Sequence, residues 1–167
     1  DNEIADFELE KSNSWSGTTP ENGTLTSTSS FTVKLLSRPL DNVSIPVKVS
    51  DPSEANIIID NITFNSVANL TFTPDNYSEQ TVIITGISDS VRDGNIPYKI
   101  EIGPSVSAVG DPYHQRPKQF LDLISLDNES SIITVDPVII DNLTESSITG
   151  ENFIVTMETP PSADVTL

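Results

Sequence analysis

An all-β chain folded as an antiparallel β-sandwich is what this sequence predicts, and three observations predict it. Apolar and polar residues alternate with period two in run after run, while sustained helical periodicity is missing. Thr, Ser, Asn, Ile and Val dominate, and β-branched side chains suit a pleated, half-buried surface. Twelve prolines and seven glycines punctuate the chain between the runs, as short strands joined by tight turns require.

The strand-like runs follow in order. Residues 4–10 carry Ile4, Asp6, Phe7 and Leu9; 30–36 carry Phe31, Val33 and Leu35; 43–50 carry Val43, Ile45, Val47 and Val49. Next come 68–73 with Leu70 and Phe72, 80–87 with Val82, Ile84 and Ile87, and 96–102 with Ile96, Tyr98, Ile100 and Ile102. The last is 120–126, with Phe120, Leu121, Leu123 and Leu126. Turn-rich stretches at 12–23, 37–42, 74–79, 89–95 and 103–117 separate them, and seven short strands at such spacing indicate a sandwich. Residues 57–64 are also strand-like and read as an extra hairpin arm.

Internal repetition sets the organisation. Asp1-Asn2-Glu3 recurs as Asp127-Asn128-Glu129, and Ser30-Phe31-Thr32-Val33-Lys34-Leu35 has its counterpart in Asn152-Phe153-Ile154-Val155-Thr156-Met157. A Pro-containing turn follows each, then Asp41-Asn42-Val43-Ser44-Ile45 and Ala163-Asp164-Val165-Thr166-Leu167. The offset is 126 residues at the start and 122 later. Residues 1–126 therefore read as one complete repeat and 127–167 as the N-terminal part of a second. About three strands cannot close a sandwich, so further chain, or strands of another molecule, would complete the second core.

Charge excludes several partners. The chain carries 25 acidic and 8 basic residues, net −17, and every base precedes residue 127. Such a surface repels nucleic acid and anionic lipid, which bind through Lys and Arg, and attracts divalent cations. Cysteine is absent, which removes disulfides and thiolate metal sites. No segment approaches the roughly 18 consecutive apolar residues of a membrane span, so none of it is expected to insert in a membrane. The opening Asp and the lack of a leader-like stretch read as a mature or excised piece of a secreted or cell-surface protein.

An ordered set of segments carries a resemblance: Val49-Ser50-Asp51-Pro52-Ser53-Glu54, Leu70-Thr71-Phe72-Thr73-Pro74-Asp75-Asn76-Tyr77, Gln80 through Ile87, Asp89 to Asp93-Gly94, Tyr98-Lys99-Ile100, Asp111-Pro112-Tyr113 and Asp127-Asn128. The set resembles the Calx-beta-like tandem repeats of long bacterial surface and adhesin-type proteins. It covers nearly all of the first repeat and the first third of the second, and the stretch between Glu54 and Leu70 is longer than usual. The resemblance implies a seven-stranded immunoglobulin-like sandwich whose end loops bind Ca²⁺ through acidic residues in the calcium-regulated members. Carried over by position, it nominates Glu21, Asp51, Glu54, Asp89, Asp93 and Asp127 as metal ligands, with Glu145 the second repeat's analogue of Glu21. Ca²⁺ takes about six to eight oxygens at roughly 2.3–2.6 Å, which carboxylates from several loops can supply. The departure is Asp89-Ser90-Val91-Arg92-Asp93-Gly94, where Arg92 interrupts what would be a run of acids and offers an ion-pairing cation in place of a metal. The alternative for these aspartates is turn chemistry through local hydrogen bonds.

Catalysis finds little support: an acidic chain offers paired carboxylates of the kind glycoside hydrolysis uses, but the sugar-stacking aromatics that accompany them are scarce. His114, the lone histidine, lies in a Pro-flanked loop without a spaced metal-binding or nucleophilic partner. Trp15 is either a plug at the sandwich end or an exposed contact residue. Asn-x-Ser/Thr sequons start at Asn22, Asn42, Asn61, Asn69, Asn76, Asn128 and Asn142; they are either glycan acceptors of a secreted protein, those in turns such as Asn22 and Asn76 first, or the chance product of an Asn-, Ser- and Thr-rich composition. The expected function is non-enzymatic: a spacer or stalk repeat of a long extracellular protein or filament, with neighbouring repeats and copies of itself as partners. The alternatives are a binding module for a glycan or protein receptor, which an exposed cluster of Trp15, Tyr113 and Phe120 would favour, and self-assembly in which residues 130–167 donate strands to a neighbouring subunit.

Overall fold

The structure, a computed structural model, describes residues 3–22, 28–136, 152–161 and 163–166. It divides into two units, one running to Ser88 and resuming over Gly94–Asp127, the other made of Asp89–Asp93 and the residues from Asn128 onward.

The first unit is an immunoglobulin-like β-sandwich. One sheet, in the order β1-β3-β8-β5-β6, is built from β1 (Phe7–Lys11), β3 (Ser29–Leu35), β8 (Gln80–Gly86), β5 (Ala55–Ile59) and β6 (Ile62–Phe64). The other, in the order β2-β10-β9-β4-β7, uses β2 (Thr18–Pro20), β10 (Gln119–Leu126), β9 (Ile96–Ile102), β4 (Val43–Val49) and β7 (Val67–Phe72).

Alternation decides which side chains meet between the sheets. On β3, Phe31, Val33 and Leu35 point inward while Thr32 and Lys34 point out; on β4, Val43, Ile45, Val47 and Val49 are buried. Ala68, Leu70 and Phe72 of β7 and Tyr98, Ile100 and Ile102 of β9 complete the same core. Each buried Val, Leu, Ile or Phe side chain among them contributes about 1.5–3 kcal/mol by leaving water.

The structure corrects the sequence reading at four places. The first strand begins at Phe7 rather than residue 4, because the Asp6 carboxylate accepts the Phe7 N–H at 2.8 Å and Ile4 is exposed. Within the 12–23 stretch, three residues form β2, which runs parallel to β10 (Thr18 opposite Ile124), whereas the other ladders are antiparallel. Residues 57–64 are not an appended arm, since β5 pairs with β8 and buries Ala55, Ile57 and Ile59. Its hairpin to β6 turns on Asp60 and Asn61, both at positive φ (51° and 63°), the conformation a two-residue turn needs to match strand twist. On β10, Leu121 and Leu123 point in, which the pleat forces to place Phe120 outside.

Trp15 plugs the sandwich edge: partly buried against the core, it meets Phe31 edge-on (6.3 Å, 77°) and carries the Lys11 ammonium 4.9 Å above its ring.

In the second unit, β11 (Ile133–Asp136) pairs antiparallel with β12 (Ile154–Met157). Ile133 opposes Met157 and Val135 opposes Val155, as Phe7 opposes Leu35 and Leu9 opposes Val33 in the first unit. The backbone bond beyond the ladder matches as well: Glu158 N–H donates to Ile132 O at 3.1 Å, and Leu36 N–H to Asp6 O at 2.9 Å.

Candidate metal-binding end of the sandwich

Four of the six nominated acids fall at one end of the first unit, because the strands that carry them end or begin there. Glu21 follows β2, Asp51 follows β4, Glu54 precedes β5 and Asp127 follows β10. Glu21 is 2% exposed and Glu54 8%.

Backbone contacts bring these loops together. Glu21 N–H donates to Leu126 O at 3.1 Å, placing Glu21 beside the strand that leads into Asp127. Ile87 N–H donates to Glu54 O at 3.1 Å. Between them sits Gly86, where a Cβ would lie 2.2 Å from the Pro20 carbonyl oxygen and 3.2 Å from the Glu21 Cα. Only glycine admits this approach, so Gly86 is what lets Glu21 and Glu54 border the same strand end.

The side chains serve the turns as well. Asp51 Oδ1 accepts Ser53 N–H at 3.1 Å, and the Ser53 hydroxyl donates to Asp51 Oδ1 at 2.5 Å and to Glu54 Oε1 at 3.1 Å. Asp127 Oδ2 accepts Gly94 N–H at 2.7 Å, and its own N–H donates to Asn95 Oδ1 at 3.1 Å. Behind Glu21 and Glu54 lies Tyr98, 3% exposed, its hydroxyl 2.7 Å from Thr19 Oγ1. Burial pushes the Tyr98 phenol up to about 12; the Thr19 bond works against this and the Glu54 charge adds to it.

Asp89 and Asp93 belong to the second unit, where both are exposed. Asp89 Oδ1 accepts Val91 N–H at 2.7 Å, a local turn bond. Arg92 is exposed, no acid of the described residues forms a salt bridge with it, and its side chain lines a pocket beside β11 and β12. Glu145 and Asn142 lie outside the described residues.

Sequence reasoning missed Ser53, Asn95 and Gly86. The first two carry no signal beyond being polar turn residues; Gly86, closing a β-branched run, is the one whose position could have flagged a close backbone approach.

No protein-family model matches the chain, and no curated protein matches it. Among solved structures it is similar to the crystal structure of the apo-form Calx CBD1 domain, at 15% identity over 74% of this chain and 97% of that chain, with a TM-score of 0.43. Among the described residues no helix is long and apolar enough to cross a membrane.

Proposed function

We propose that the chain is a structural spacer of a long extracellular protein, a sandwich repeated in tandem with residues 127–167 opening the second repeat, and that Ca²⁺ stiffens it at the acidic end. One observation carries the reading. Gln119, the first residue of β10, donates through Nε2 to Phe7 O at 3.0 Å, and Leu126 ends the same strand. The chain thus enters the sandwich at one end and leaves at the other, roughly 23 Å along at about 3.3 Å per residue. A module threaded this way adds length for every copy placed in series.

The matching ladders of β1–β3 and β11–β12 support the tandem reading, because the same offsets relate both strands and the bond beyond them. For the ion, the support is the burial of Glu21 and Glu54 beside Asp51 and Asp127. Carboxylate oxygens are the donors Ca²⁺ takes, and these four acids border one end of the sandwich. Of the three aromatics that would serve the receptor-binding alternative, Tyr113 is buried and Trp15 is partly buried against the core, while Phe120 stays exposed.

Small-angle scattering on tandem proteins of two, three and four copies of residues 3–127 tests the spacer. The expected result is a maximum dimension that grows by a constant increment of at least about 23 Å per copy; a compact particle whose dimension stops growing would refute it. Thermal unfolding with millimolar Ca²⁺ and with EDTA tests the ion: a midpoint higher by several degrees in Ca²⁺ is expected, and superimposable curves would remove calcium.

A further inference from the structure

The second unit holds a pocket of about 350 Å³ whose walls include Ile132, Ile133, Met157, Thr159, Pro161 and Val165. In the correspondence set by the two ladders, these positions match Asp6, Phe7, Leu35, Ser37, Pro39 and Val43 of the first unit. The first unit shows what its equivalent surface receives. Tyr113, 1% exposed, ends on Ser37: its hydroxyl donates to Ser37 O at 2.7 Å, accepts Ser37 N–H at 2.8 Å and lies 3.1 Å from Ser37 Oγ. Asp111 holds the turn that presents it. One carboxylate oxygen accepts Tyr113 N–H at 2.7 Å; the other accepts Leu40 N–H at 3.2 Å and Asp41 N–H at 2.9 Å.

We propose that the pocket beside β11 and β12 is a receptor for a tyrosine presented on an Asp-x-Tyr turn, of the kind that Asp111-Pro112-Tyr113 forms in the first unit. Thr159 replaces Ser37 with the same hydroxyl, N–H and carbonyl, and already uses its Oγ1 on Ser130 O at 3.2 Å. Ala163, also in the wall, stands where Asp41 offers its N–H to Asp111. The apolar walls suit an aromatic ring, and the volume falls within the roughly 300–1,000 Å³ of pockets that bury small ligands. Arg92 adds a cation to the lining; it favours the turn's aspartate by charge and a ring by cation–π attraction. The inference rests on the tandem reading for its residue correspondence, but not on the spacer role or on calcium.

The test is a titration of the isotope-labelled full chain with the acetylated, amidated peptide of residues 110–116, followed by amide chemical shifts. Saturable shifts are expected at Ile132, Thr159, Ala163 and Val165. The Tyr113→Phe peptide should bind about five-fold more weakly, the usual worth of one net hydrogen bond, and the Asp111→Asn peptide more weakly than the parent. Absence of saturable shifts at these amides, shifts confined to the first unit, or equal binding of the Tyr and Phe peptides would each overturn the proposal. Failure of the scattering series with the peptide result intact would remove the spacer and leave the pocket; the reverse outcome would remove only the pocket.

Discussion

The Thr19 hydroxyl lies 2.7 Å from the Tyr98 hydroxyl, so the three-residue strand β2 is tied by a buried side-chain bond to the second strand inward in its sheet. Burial raises the phenol from 10.0 to about 12. A group whose folded pKa is raised keeps its full contribution below the unfolded value and loses it as pH climbs through the folded one. Stability should therefore fall by roughly 2–3 kcal/mol more in this chain than in Tyr98→Phe between about pH 10 and pH 12. Urea unfolding of both proteins across that window checks it, with ultraviolet titration of tyrosinate reporting the pKa directly.

Gly86→Ala forces a methyl against the Pro20 carbonyl oxygen, a backbone atom that cannot rotate away. The expected cost is roughly 1–3 kcal/mol, the usual range for overpacking. Because the displaced segment carries Thr19, whose hydrogen bond holds the Tyr98 phenol down, the same substitution should push that phenol further up, which a purely general loss of stability would not do.

Tyr113→Phe leaves the Ser37 N–H without its phenol partner and should cost roughly 1–3 kcal/mol. Tyr113→Ala removes the ring as well and should cost roughly 3–5 kcal/mol. Denaturant midpoints of the two variants separate the hydroxyl's share from the ring's.

Glu54→Gln and Glu21→Gln remove one charge each from the acidic end at nearly constant shape. Both should reduce the Ca²⁺-dependent rise in melting temperature by half or more, while Asp75→Asn, exposed and paired to Arg38 in a turn away from that end, should leave it unchanged. Calorimetry of the variants with Ca²⁺ and with EDTA provides the comparison.

Much of the fold was legible because burial on one face writes itself into alternation. Val43–Val49 is an example, since the residues read as inward are the buried ones, and in Ile96–Ile102 the same holds for Tyr98, Ile100 and Ile102, with Ile96 only partly buried. What escaped was structure whose cause lies elsewhere in the chain. Thr18-Thr19-Pro20 has no pattern of its own and is a strand because Ile124–Leu126 lies beside it. Ile57-Ile58-Ile59 is uniformly apolar, which hides the fact that Ile57 and Ile59, but not Ile58, point into the core. The acidic end divides the same way. Asp51, Ser53 and Glu54 are close in sequence and their contacts are local, whereas the burial of Glu21 follows from the approach of Gly86.

The parallel pairing of β2 with β10 sets how the sandwich answers tension. Once β1 has given way, a pull on the two ends of the sandwich draws β2 toward one pole and β10 toward the other, along their common axis. The bonds that flank this pairing, Ile124 N–H to Gly17 O and Glu21 N–H to Leu126 O, are then loaded in shear together, instead of peeling one after another as in an unzipping hairpin. This three-residue strand is, under load, the clasp of the sandwich.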